Sequence, residues 1–242
     1  MISPLLSNIF LHYVLDLWVQ QWRRRYARGS VIIVRYADDF VMGFQYETDA
    51  RRMSEDLKGR LAKFKLALHE DKTRLIRFGR FAAEQMAERG LGRPETFNFL
   101  GFTHYGGRTR EGRFIVKAKT QSKRVTRKLK ELRAEAKRRM HAPVADQHAW
   151  LSSVLTGHYR YYGLPCNGQA LSAFRYEVRH LWCRTLGRRS QRARLSWARF
   201  AALEARFPLP LPRITHPWSN AGTCRGLPSR RAGCGEAARP VP

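Results

Sequence analysis

The chain has 242 residues, enough for one large domain or two modest ones with a core of useful size. Its 46 Lys and Arg against 19 Asp and Glu give a net charge of +27, too large an excess to serve solubility alone. The natural partner of such a chain is a polyanion, with nucleic acid ahead of an anionic membrane surface. The charge is unevenly spread: residues 1–116 hold 20 basic and 13 acidic side chains, residues 117–242 hold 26 and 6.

In chain order, Ser3-Pro4 reads as a helix start, a cap residue followed by proline at the first helical position. Leu5, Leu6, Ile9, Phe10, Tyr13, Val14, Leu17 and Trp18 recur behind it at helical spacing as one broad apolar face, and the pattern ends in "RRRYARGS", whose glycine and serine mark a loop. Residues 31–36 and 40–44 are both strand-like and are separated only by "ADD", which predicts a hairpin with aspartates at its tip. Thr48 is placed to cap a second helix, with Ala50, Met53, Leu57, Leu61 and Phe64 on one face. "LALHE" and "RLIRF" read as two short strands around a turn at "DK", and a helical or irregular stretch follows to about Pro94.

"TFNFLGFTHYGGRTREGRFIVK" is a second hairpin-rich segment, with turns expected at Gly106-Gly107 and Glu111-Gly112. Beyond residue 120 the pattern turns wholly helical. Val125, Leu129, Leu132 and Ala136 space a core face, and further helices are predicted over 146–162, 169–186 and 195–206. From Pro208 the chain is rich in Pro, Gly, Arg and Ser and reads as a disordered basic tail. The fold class is α+β, with domains at 1–116 and 117–206 and the tail over 207–242.

No uninterrupted apolar run approaches the length of a membrane span. The first residues also lack the basic leader and cleavage site of a signal peptide. Cys166, Cys183, Cys224 and Cys234 form no CxxC pair and read as reduced thiols, giving a cytoplasmic localisation. The eight histidines show no HxxxH or HExxH spacing, so His69 and His158 read as surface or structural groups. His216, Cys224 and Cys234 have no recognisable zinc-ligand spacing.

The adjacent Asp38 and Asp39 carry the chemistry. Two neighbouring carboxylates repel unless a cation sits between them. Hard oxygen ligands on a hairpin suit Mg²⁺, which takes one or two carboxylates and completes its shell with water and substrate phosphates. Two such ions, roughly 3.5–4 Å apart, activate the attacking oxygen and stabilise the leaving oxygen of a phosphoryl transfer. The competing reading is a solvent-exposed polar turn, since Asp is a common turn residue. Strongly apolar flanks and a very basic chain favour the metal site.

"YADDF" at 36–40, between hydrophobic strands, resembles the catalytic box of reverse transcriptases, and the chain as a whole resembles the reverse transcriptase/maturase proteins of group II introns. "ISPLLSNIFLHYVLDLW" resembles the helix after that family's Pro-Gln-Gly box, "LHEDKTRLIRFGR" the next block, "FNFLGF" the primer-grip hairpin and "WLSSVLTGHYRYYGLP" the core of the maturase thumb region. The resemblance implies part of a reverse transcriptase palm, an antiparallel sheet with helices, followed by an α-helical thumb. It implies RNA-templated DNA synthesis, with intron or template RNA, a DNA primer and deoxynucleotides as partners and Mg²⁺ held by Asp38 and Asp39.

The same resemblance puts Tyr36 beside the incoming nucleotide or primer end. Lys72 would assist the leaving pyrophosphate, with a solvated surface lysine as the equal alternative. Phe99, Leu100 and Gly101 match the primer grip, with sheet core as the plainer reading. The family's third metal-binding aspartate lies on a strand upstream of the Pro-Gln-Gly box. The chain opens after that box, so the expectation is an N-terminally truncated fragment lacking the fingers and the first part of the palm.

The basic helical region yields a second expectation, RNA binding through Lys123, Arg124, Arg127, Lys128, Lys130, Arg133 and Lys137. Such binding weakens steeply with salt, because each neutralised phosphate releases counterion. Aromatics interleaved with arginine, as in "HYRYYG", "FRYEVRHLW" and "SQRARLSWARF", can stack on unpaired bases. Tyr159, Tyr162, Trp150 and Trp182 nevertheless sit at core-compatible spacing. Two other functions stand beside polymerisation: a non-catalytic RNA-binding maturase that assists intron folding and splicing, and a gene remnant that does neither.

Overall fold

In the computed structural model, which describes residues 3–190 and 195–217, one helical run carries the chain from Ser3 to Tyr26. It comprises α1 (Ser3–Leu11), a wider π turn over His12–Asp16 and α2 (Leu17–Tyr26). The predicted apolar face of this run is only partly buried. Leu5, Leu6, Ile9, Phe10 and Tyr13 are exposed, and burial begins at Val14 and Leu15 and continues through Val19 and Trp22. The π turn adds a residue to its helical turn and so shifts which side chains face inward. Arg23, Arg24 and Arg25 close α2, and the loop falls at Gly29 and Ser30 as expected.

Strands β1 (Val31–Tyr36) and β2 (Asp39–Phe44) form the predicted antiparallel hairpin, with Val34 opposite Val41 and Tyr36 opposite Asp39. α3 (Glu47–Ala62) closes the layer. Val31, Met53, Leu57 and Leu61 meet Val14, Leu15, Val19 and Trp22 in one core, with Ile33, Phe40, Met42 and Phe44 packed against it. Trp22 Nε1 donates to Asp56 Oδ2 at 2.7 Å across this layer. Asp49 is buried and accepts from the backbone N–H groups of Arg28 (2.8 Å) and Gly29 (3.2 Å), so it fixes the loop into β1. Thr48 does not cap α3. The cap position is Tyr46, and Phe64 lies beyond the helix, exposed.

The strands predicted over 66–70 and 74–78 do not form. A short 3-10 turn (Glu70–Lys72) stands between irregular segments, because among the described residues no strand pairs with either stretch. α4 (Ala82–Glu88) follows. β3 (Phe97–Phe99), β4 (Phe102–Arg108) and β5 (Phe114–Thr120) make a second antiparallel sheet in that order. Gly106 and Gly107 lie inside β4 rather than in a turn, and the β4–β5 turn is made by Gly112 at φ 78°.

The chain divides into two compact units, Met1–Ala134 and Glu135–Pro242, with the division inside α5 (Ser122–Arg138). The second unit contains α6 (Val144–Tyr162), α7 (Gly168–Gly187) and α8 (Trp197–Arg206). Leu151, Leu155, Tyr159, Leu171, Phe174, Val178, Trp182 and Phe200 are buried in it. The buried Gln147 amide donates to the carbonyls of Arg139, Met140 and Ala142 and accepts from Trp182 Nε1.

The segment 207–217 is not disordered, which corrects the predicted start of the tail. Leu209 is buried, and the Pro210 carbonyl accepts from Tyr159 Oη and Arg175 Nε, each at 3.1 Å. Thr215 and His216 donate their N–H groups to the carbonyl of Gly163, where the close approach of Thr215 leaves no room for a Cβ. Burial pushes the Tyr159 hydroxyl up to about 12, so it stays a proton donor to Pro210 across the ordinary pH range. The rest of the predicted tail, with Cys224 and Cys234, lies outside the described residues. Among the described residues no helix is long and apolar enough to cross a membrane.

Candidate active site

The β1–β2 hairpin positions the aspartate pair. Its inward face, Val31, Ile33, Phe40, Met42 and Phe44, is held by the helical core. Alternation along β1 then turns Ile32, Val34 and Tyr36 outward, exposed to 64%, 53% and 65%. Ladder pairing runs to Tyr36 and Asp39, which leaves a two-residue loop of Ala37 and Asp38. Ala37 has φ 54°, a left-handed conformation that a residue with a Cβ rarely adopts and that costs on the order of 1 kcal/mol.

Arg35 explains why this turn persists. It is the one charged residue in "VIIVRY", and its guanidinium faces back along α1 and the π turn. Arg35 Nε donates to Asp16 Oδ1 at 2.8 Å and Nη2 to Asp16 Oδ2 at 2.7 Å, a bidentate pair. Nη1 donates to Asn8 Oδ1 at 3.0 Å and to the carbonyl of Ala37 at 2.8 Å. The two side chains are only 14% and 25% exposed, so water screens the pair weakly. The Arg35 guanidinium holds the Asp16 carboxyl below the usual carboxylate range against the opposing effect of burial, and Asp16 in turn raises Arg35. A charged clamp thus runs from the π turn to the tip of the hairpin.

Asp38 and Asp39 are exposed, and neither carboxylate has a hydrogen-bond or ion-pair partner among the described residues. Two hard, unengaged carboxylates on a rigid tip suit a Mg²⁺ ion that completes its shell with water and phosphate oxygens. They do not make a closed cage. Among the described residues, no three His, Cys, Asp or Glu side chains gather as a metal-binding group. The donor set therefore fits an ion shared with a substrate rather than a structural ion.

The other predicted residues fall in separate places. Phe99 and Phe102 close the β3–β4 ladder around a two-residue turn of Leu100 (φ 50°) and Gly101 (φ 79°). Gly101 is buried, and its carbonyl accepts from the N–H of Gln121. This turn is rigid and strained like that at Ala37, and β3 runs close to β2 without hydrogen bonding to it. Lys72 is exposed at the end of its 3-10 turn, with no hydrogen bond or ion pair to either aspartate.

On α5, Lys123, Arg124, Arg127, Lys128, Lys130, Arg133 and Lys137 are all exposed, while Leu132 and Ala136 are buried. Arg127 and Lys128 share Glu131 at 3.8 and 3.5 Å; the other five have no carboxylate in ion-pair range among the described residues. Asp16, Arg35 and Asn8 are the residues that sequence reasoning missed. The signal for them was a lone arginine in an otherwise apolar strand.

Residues 1–104 match the family model described as reverse transcriptase (RNA-dependent DNA polymerase). That span contains the whole β1–β2 hairpin, the Asp16–Arg35 clamp, Lys72 and the Leu100-Gly101 turn. It ends inside β4, before the basic helix. No curated protein matches the chain.

Proposed function

We propose that this chain acts in RNA-templated DNA synthesis as a reverse transcriptase of the group II intron type, with a palm segment followed by a helical thumb. One observation carries the reading: two unengaged, adjacent carboxylates stand on a strained, clamped hairpin tip inside the segment that matches the reverse transcriptase family model. Asp38 and Asp39 hold Mg²⁺ together with the triphosphate of the incoming deoxynucleotide. When bound, the metal supplies positive charge that favours the ionised primer 3′-oxygen and offsets charge on the leaving group. Tyr36, exposed on the same strand face, presents its ring to the nucleotide or primer end. The Leu100-Gly101 turn brings backbone to the primer strand, and Lys72 meets the leaving pyrophosphate.

The test is primer extension on an RNA template with Mg²⁺ and deoxynucleotides. Extension by the chain that is lost in Asp38→Ala and Asp39→Ala supports the proposal. Extension that persists in both variants overturns the assignment of the carboxylates.

A second reading, an RNA-binding maturase that acts without polymerisation, is favoured by the five exposed cations of α5 that have no acidic partner among the described residues. It predicts RNA binding that survives Asp38→Ala and fails when Arg124, Lys128 and Lys130 are neutralised together.

A further inference from the structure

Three aromatic side chains cluster on the outside of the second unit, with the Tyr176 and His180 rings tilted 48° and the His180 and Trp197 rings tilted 59° to one another. Tyr176 and His180 are one turn apart on α7, so they share a face, and their ring centroids are 4.1 Å apart. Trp197, the first residue of α8, meets the other side of this pair, 4.6 Å from His180. Tyr176 is 55% and Trp197 47% exposed. The guanidinium of Arg179 lies 5.3 Å from the Trp197 ring centre and is fixed by Glu204 Oε2 at 2.6 Å. Arg184, exposed, continues the Tyr176–His180 stripe by one further turn.

The core beneath does not need these rings. Phe174, Val178, Trp182 and Phe200 are fully buried, and Trp182 and Phe200 meet edge to face at 5.7 Å. Trp197 touches Phe200 edge-on from outside that layer, also at 5.7 Å. The rings are therefore held in position by packing while part of their surface stays in water, and contiguous exposed apolar surface of this kind marks an interaction site. Charge identifies the partner. The unit's residues 135–242 hold 18 basic and 5 acidic side chains, and α7 itself carries Arg175, Arg179 and Arg184 against the single Glu177. Exposed ring faces beside cations suit a ligand with flat rings and anionic links. Bases in a duplex are already stacked and cannot reach such a surface, whereas unpaired bases can.

We propose that Tyr176, His180 and Trp197 form a stacking platform for unpaired bases of single-stranded RNA, with Arg184 on the adjoining phosphate. The inference rests on the reading that the chain binds RNA and adds to it where, and which form of RNA. Stacking on one aromatic side chain contributes about 1–3 kcal/mol per base, about 5- to 150-fold in affinity, and releases no counterion of its own. A phosphate contact instead adds about one unit to the slope of log affinity against log salt.

The test measures binding of a uridine oligonucleotide and of an RNA duplex to the full chain at several salt concentrations. Tyr176→Ala is expected to weaken the single strand at least 5-fold with an unchanged salt slope and unchanged duplex affinity. Tyr176→Phe, which keeps the ring, retains wild-type affinity, and Arg184→Gln lowers the slope by about one. Tyr176 is exposed, so an unchanged urea midpoint for Tyr176→Ala shows that folding is not the cause. Wild-type affinity in Tyr176→Ala, or equal losses for strand and duplex, overturns the platform and leaves RNA binding standing. Loss of binding to anionic lipid vesicles, with RNA binding intact, overturns it in favour of a membrane surface. A wild-type chain that binds no RNA overturns both readings.

Discussion

The hairpin tip of the first unit and the helical core of the second treat their polar groups in opposite ways. In the second unit, polar side chains are engaged with one another: Gln147 donates to three carbonyls and accepts from one indole, Arg175 and Tyr159 donate to the Pro210 carbonyl, and Arg179 donates to Glu204 Oε2, whose other oxygen has Arg175 Nη2 at 3.6 Å. At the hairpin tip, Asp38 and Asp39 are without partners among the described residues, Ala37 is held in an unfavourable conformation, and the Tyr36 face is exposed. The difference separates two uses of polar side chains. The network in the helical unit specifies one packing, whereas the open groups at the tip are available to a ligand.

The comparison predicts unequal responses to mutation. The largest loss of stability belongs to Gln147→Leu, which leaves the buried Trp182 N–H without its acceptor and removes a donor shared by the carbonyls of Arg139, Met140 and Ala142, at a cost of about 3 kcal/mol read from urea unfolding. Arg35→Ala comes next. It leaves the Asp16 carboxylate unpaired and releases the Ala37 carbonyl, costing about 2 kcal/mol, with NMR shift changes concentrated over 36–39.

A smaller effect follows from pH. The Asp16 carboxyl is depressed in the folded chain by its hydrogen bonds to Arg35, so the pair stabilises above the ordinary carboxylate pKa of 3.8. That contribution disappears as pH falls through the lower folded value, and a urea series across this range is expected to show a shallower acid loss in Asp16→Asn than in wild type. Ala37→Gly relieves the left-handed residue and is expected to raise stability by about 0.5–1 kcal/mol. Asp38→Asn should move stability least, within about 0.5 kcal/mol, because the side chain is exposed and unpartnered. A large loss there would erase the contrast between tip and core.

The hairpin was legible in the sequence because alternation and a short polar turn determine strand pairing locally. The α5 face was legible because Leu132 and Ala136 recur at helical spacing among cations. What escaped depends on contacts between distant residues. "LALHE" and "RLIRF" have strand-like patterns, but a strand exists only where another backbone pairs with it, and among the described residues none does. The π turn, the strain at Ala37 and the Asp16–Arg35 clamp arise from segments about twenty residues apart. The composition of 207–217 suggested disorder, yet Leu209 finds a buried site, and Tyr159, Arg175 and Gly163 hold its backbone.

The most direct test of the central claim is metal binding at the tip, read by NMR line broadening with Mn²⁺ in the presence of a deoxynucleoside triphosphate. The account predicts broadening centred on the amides of 36–40, abolished in the double variant Asp38→Asn/Asp39→Asn and unaffected by neutralising Arg124, Lys128 and Lys130. Broadening that is absent from 36–40, or that survives loss of both carboxylates, would contradict it.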